Sequence, residues 1–233
     1  TYPSDVPGRP YDWSYYGPLS WPLEVAGART PLVLFDPGAD APRLAFTRIG
    51  DTGRRGLFRL GVSAETGHPV FHLELPVYPS GGAVLDYTAS LVVQDRVRAR
   101  LETITGADAI HVRLRGIGLS QVLHVTLMED DGTSWTNELE VDSLWHDYNV
   151  PLVTLSAGRG ALLPEGFPGE WNYWVSPAAG RGGPGDHPRL DHLERLQLSL
   201  RREPGASPGP GQAGVEIEAV TLTFGGVARA DAR

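Results

Sequence analysis

Side chains with planar or titratable nitrogen recur at alternate positions in several stretches of this chain. His111, Arg113 and Arg115 take every second place in Ala109–Arg115, and His124 and Thr126 do so in Val122–Met128. In Leu193–Leu200 the residues Arg195, Gln197 and Ser199 alternate with Leu196, Leu198 and Leu200. Guanidinium, imidazole and amide groups hold donors and acceptors in fixed planes, which suits them to pairs of hydroxyls. Period-two alternation sends one set of side chains into a core and leaves the other on a free face. The expected free face therefore displays His111, Arg113, Arg115, His124, Gln197 and Thr126. An ordinary solvated sheet face would carry the same residue types, so the pattern alone leaves both readings open.

Aromatic candidates lie elsewhere. Trp171, Tyr173 and Trp174 fall in the loop-rich stretch 156–190, together with Phe167. Exposed aromatics cost free energy, so these either stack on a ligand or partner or plug one end of the fold. Trp135 shares the phase of Leu139 and Val141 and is expected in the core. Trp145 has the opposite phase to Tyr148 and Val150, which leaves its place open. The pairs His68/His72 and His187/His192 lack the spacing and helical context of a zinc site. There is no G-x-S-x-G elbow, P-loop or dinucleotide fingerprint, and Gly116-Ile117-Gly118 reads as a turn. Carboxylates for glycoside hydrolysis are plentiful, yet nothing singles out an acid and a base.

The elements that must position these groups centre on Asp108–Leu152, where three strand-like runs are closed by two turns. In the second turn, Glu129-Asp130-Asp131-Gly132, the glycine can take positive φ cheaply. Further strands are expected at Leu32–Phe35, Pro69–Leu75, Val84–Val93, Leu193–Leu200 and Gly214–Phe224. Leu44–Ile49 and Leu57–Val62 read as a hairpin around Gly50–Gly53. Val97–Leu101 reads as a strand set off by a polar turn at Gln94-Asp95-Arg96, and Pro151 ends the strand before it. In the last strand the apolar phase slips near Glu218-Ala219, as a β-bulge would cause. No segment sustains a helical period, so the fold class expected is all-β, an antiparallel β-sandwich or barrel. Residues 1–31, rich in Pro, Tyr and Trp, read as an extended N-terminal arm, 32–226 as a single domain and 227–233 as a tail.

Composition narrows the partners. With 20 basic and 28 acidic residues among 233, the net charge is −8, which argues against nucleic acid or an anionic membrane as the main partner. Every basic residue is arginine; a GC-rich genome accounts for this, and so would selection for bidentate donors. Cysteine is absent, which excludes disulfides and thiolate metal sites while leaving the redox compartment open. No apolar run approaches the ~18 residues of a membrane span. Beginning at Thr1, the chain reads as a mature or trimmed segment.

Leu123–Trp135 resembles the hairpin of galactose-binding-like jelly rolls, a group that includes many carbohydrate-binding modules of bacterial glycoside hydrolases. Leu144–Leu152 looks like the strand those modules carry next, and Leu193–Leu200 followed by Val215–Phe224 is similar to their closing pair. The resemblance spans roughly 85–225. It implies a jelly-roll sandwich and a non-catalytic, exported module (periplasmic, cell-surface or secreted) that recognises carbohydrate. Arg113, Arg115, His124 and Gln197 would supply the polar contacts, and Trp171, Tyr173 and Trp174 the aromatic platform. Many such jelly rolls hold a structural calcium, for which Asp130, Asp131, Glu216 and Glu218 offer hard oxygen ligands; no other cofactor is expected. Two other readings compete: an accessory subunit that contacts protein partners through the arm and the 156–190 loop, and a glycan-active hydrolase or lyase.

Overall fold

A computed structural model describes residues 30–46, 57–74, 86–118, 121–157, 181–201 and 213–225; the arm before Thr30 and the Trp171–Trp174 loop lie outside them. In chain order the strands are β1 (Leu32–Phe35), β2 (Ala45–Phe46), β3 (Leu57–Val62), β4 (Pro69–Glu74), β5 (Asp86–Val92) and β6 (Ala107–Gly118). β7 (Gln121–Glu129), β8 (Ser134–Val141), β9 (His146–Pro151), β10 (Ser156–Ala157), β11 (Leu193–Arg201) and β12 (Ala213–Phe224) follow. They form two six-stranded sheets whose recorded pairings are all antiparallel. The first runs β3-β4-β12-β6-β9, and β1 shares one edge of β12 with β4; the second runs β10-β8-β7-β11-β5-β2. This is the expected sandwich.

Alternating leucines and β-branched residues face inward from both layers. Ile110, Val112 and Leu114 of β6 and Val215, Ile217, Val220 and Leu222 of β12 are completely buried. From the other layer come Leu123, Val125 and Leu127 of β7, Trp135 of β8, and Leu196, Leu198 and Leu200 of β11. Each such side chain gains about 1.5–3 kcal/mol over exposure, which fixes the facing of every strand. Trp135 is therefore a core residue, as its phase implies. The expected bulge is present too. The register of β12 on β6 shifts between Ile217 and Ala219, so Glu216 and Glu218 both stay outside while the inward phase moves from Ile217 to Val220. Gly132 closes the β7–β8 turn at φ 86°, with the Thr133 amide bonded to the Asp131 carboxylate.

Two expectations are corrected. Leu44–Ile49 and Leu57–Val62 are not a hairpin: β2 pairs with β5 in the second sheet and β3 with β4 in the first. Val97–Leu101 is not a strand either. Short helices occupy Gln94–Arg98 and Leu101–Ile104, and Val93, Val97 and Ile104 point inward at helical spacings of four and seven. Arg96 anchors this segment on β1, donating to the Leu34 carbonyl at 2.8 Å and to the buried Asp40 carboxylate.

Candidate functional site

The residues expected on one free face lie on two. β6 belongs to the first sheet and β7 to the second, so the short connection between them crosses the sandwich. His111, Arg113 and Arg115 look out from the first sheet, whereas His124, Thr126 and Gln197 look out from the second.

On the first sheet, long charged side chains are tied together across the strands. Arg115 Nε donates to Glu216 Oε2 at 2.7 Å, and Glu216 Oε1 lies 3.4 Å from Nδ1 of the buried His72, whose Nε2 is 3.4 Å from Glu74. Arg113 donates to Asp147 (2.7 Å) and to Glu218 (3.3 Å), and His111 Nε2 lies 3.2 Å from the other Asp147 oxygen. Glu218 also meets His68 Nδ1 at 2.6 Å and the Thr66 hydroxyl at 3.1 Å. Partial burial alone would raise its pKa, but hydrogen bonds from His68 and Thr66 and the charges of Arg113 and His68 hold it below the ordinary range. Trp145 lies against both arginines, its ring centroid 5.5 Å from the Arg113 guanidinium carbon and 5.1 Å from that of Arg115. What puts it there is Gly116. The Asp142 carbonyl accepts from the Gly116 amide, and a Cβ at this position would sit 2.8 Å from that oxygen. Only a glycine lets the β8–β9 connection lie down on β6.

On the second sheet the central row of side chains is short and uncharged. Register aligns Ser156, Thr136, Thr126, Gln197, Ser90 and Ala45 in one row across β10-β8-β7-β11-β5-β2. A parallel row holds Glu138, His124, Ser199 and Thr88. At about 4.8 Å between strands, the stretch from Ser156 to Ser90 covers about 19 Å. Hydroxyls pair within the rows, Thr126 with Thr136 at 2.8 Å and Thr88 with Ser199 at 2.7 Å. The floor is buried (Gln197 is 2% exposed) and the Ser90 hydroxyl finds no hydrogen-bond partner among the described residues, while His124, Thr136 and Glu138 lie nearer solvent.

One end of this sheet carries a cluster that the expected site does not include. Glu129 is 2% exposed and accepts from Trp135 Nε1 (2.7 Å), from Arg181 Nη2 (2.6 and 2.7 Å) and from the Arg189 amide and Nε (2.9 and 2.7 Å). Arg189 also binds Asp131, and Arg181 binds Asp186. Burial works against ionisation of Asp131, but hydrogen bonding from Thr133 and the charges of Arg189 and Arg181 keep its pKa below the usual value. The readable signal was Glu129 itself. It stands in phase with Leu123, Val125 and Leu127, and a carboxylate at a core position requires a cation.

The four carboxylates considered for calcium divide between the layers. Asp130 and Asp131 sit on the β7–β8 turn facing His192 and Arg189, whereas Glu216 and Glu218 lie on the first sheet facing Arg115 and Arg113. Among the described residues no group of three or more His, Asp or Glu side chains is arranged to hold a metal ion.

No family model matches the sequence, and no curated protein does. Solved structures do share the fold. A family 11 carbohydrate-binding module from Clostridium thermocellum, in complex with a β-1,3-1,4-mixed-linked tetrasaccharide, aligns with a TM-score of 0.51 at 10% identity over 84% of this chain and 96% of its own. The family 11 module of a cellulosomal cellulase of the same organism gives the same values. A family 30 module of another of its cellulosomal cellulases aligns at a TM-score of 0.45 and 13% identity over 84% and 98%. The sandwich described above thus has the jelly-roll fold of carbohydrate-binding modules. Among the described residues no helix is long and apolar enough to cross a membrane.

Proposed function

We propose that this chain is a non-catalytic carbohydrate-binding module that takes an oligosaccharide across the outer face of its second sheet. The observation that carries this reading is the aligned row of hydroxyl and amide side chains across Thr136, Thr126, Gln197 and Ser90. Such groups exchange hydrogen bonds with sugar hydroxyls without the desolvation penalty of a charge. A row about 14 Å long suits several linked sugars rather than one. His124 and Glu138 at the rim add a planar donor and an acceptor.

Trp171, Tyr173 and Trp174 are assigned here as the aromatic platform for the C–H faces of the sugar rings. Support comes from the ends of their loop. Ala157 is on β10, at the edge of the second sheet, and a Cβ on Gly182 would lie 3.1 Å from that of Ala157. The chain therefore leaves and re-enters beside this sheet. The ligand of the family 11 module supplies the first probe, and the module is taken to act outside the cytoplasm, where polymeric glycans are met. Calorimetric titration with the β-1,3-1,4-mixed-linked tetrasaccharide, followed by a panel of plant, algal and bacterial polysaccharides, tests the reading. Saturable binding that Gln197→Ala weakens is expected; silence across the panel rejects it.

A further inference from the structure

We propose that the outer face of the first sheet is a second glycan-contact surface, formed by Trp145, Asp147, Asn149 and the arginines beneath them, so that the module is bivalent. This rests on the carbohydrate-binding reading above and adds a site on the opposite side of the sandwich.

Several independent features converge there. Asp147 is 53% exposed; one of its oxygens accepts from Arg113 at 2.7 Å and the other lies 3.2 Å from His111 Nε2, which sets an acceptor between two planar nitrogen side chains. Asn149 stands opposite His111 in the β6–β9 register and is exposed, so it adds an amide on the same face of β9. Vicinal hydroxyls, each both donor and acceptor, match such an arrangement. Next to it Trp145 is held on the Arg113 and Arg115 guanidiniums by the seating of its loop on Gly116. Both arginines already have carboxylate partners, so their planes are set before any ligand arrives.

Charge decides what kind of ligand fits. Arg113 and Arg115 are offset by Asp147, Glu216 and Glu218, all three in ion pairs with them. An anion gains nothing from this face and meets three carboxylates, so a phosphate, a uronic acid or a nucleic acid is disfavoured. An uncharged polyol exchanges hydrogen bonds with the pairs without breaking them. The sheets of a sandwich pack about 10 Å apart with side chains on either side, so one short oligosaccharide cannot reach both faces. Each face takes its own chain, and a polymer bound at both gains avidity.

The test is calorimetric titration of the whole chain with the β-1,3-1,4-mixed-linked tetrasaccharide, with thermal unfolding of each variant as a control on folding. Two sites per chain are expected. Asp147→Asn and Asn149→Ala, both at exposed positions, should each weaken one site at least tenfold and leave the other unchanged. Gln197→Ala should do the reverse. A single site that responds to Gln197→Ala and ignores both β9 variants overturns the second surface while the carbohydrate reading stands. No binding by the unaltered chain overturns both.

Discussion

The two outer faces of this sandwich are made from the same strand periodicity and differ in almost everything else. On the first sheet Arg113, Arg115, Glu216, Glu218 and Asp147 satisfy one another, and the face is a lattice of ion pairs. On the second, Thr126, Thr136, Ser90 and Gln197 leave a low, uncharged floor, in which the Ser90 hydroxyl has no partner among the described residues. A sheet must be greasy on one side only, so the other is free to vary. Here one exterior is built from long charged side chains joined in ion pairs and the other from short hydroxyls that pair along its rows.

Removing groups that belong to one face only should separate the two. The largest effect is expected from Glu129→Gln, which leaves Arg181 and Arg189 short of their buried carboxylate beside the second sheet. Breaking a buried pair costs about 3–5 kcal/mol. Urea unfolding should register that loss, and hydrogen exchange should show the β7–β8 turn opening before the β6–β9 pair. Gly116→Ala comes next. Its methyl would press on the Asp142 carbonyl, lift the Trp145 loop and cost about 1–3 kcal/mol. It should not alter the response of tetrasaccharide binding to Gln197→Ala. If it does, the faces are not independent.

Gln197→Ala should lower affinity at the second face about tenfold, or about 1.4 kcal/mol, and, because the side chain is only 2% exposed, it should lower the melting temperature as well. The smallest effect concerns acid. The Glu218 carboxyl is held below its ordinary pKa of 4.5 in the folded chain, so the stability it contributes is present above that value and is lost as pH falls through the lower folded one. Glu218→Gln should cost a few tenths to about 1 kcal/mol at neutral pH and flatten the decline below about pH 4.5. An unchanged acid profile would mean that the His68, Thr66 and Arg113 contacts do not hold the charge.

What the sequence revealed of all this is uneven for a physical reason. Trp135 in the core, the slip after Ile217 and the turn at Gly132 are local consequences of phase and backbone freedom, and all three are legible in a handful of residues. Phase separates inside from outside; it does not say which outside. Arg113 and His124 look equivalent along the chain because the crossing between β6 and β7 is short and bears no mark of a change of layer. The helix at Gln94–Arg98 escaped notice because its inward contacts reduce to Val93 and Val97, with Ile104 following only seven residues on in the next short helix. Of the binding residues expected, His124 and Gln197 share a face, Arg113 and Arg115 share the other, and the three loop aromatics lie outside the described residues.

The pairing of β1 with β12 has a mechanical corollary. Leu32 lies opposite Leu222 and Phe35 opposite Val220, so the polypeptide enters and leaves this pair at the same end. Tension applied through the flanking chain would open the seam one rung at a time, as a zipper parts, instead of loading every rung together. A tethered particle under drag would therefore be expected to shed β1 first, at low force, while the remaining layers keep their grip.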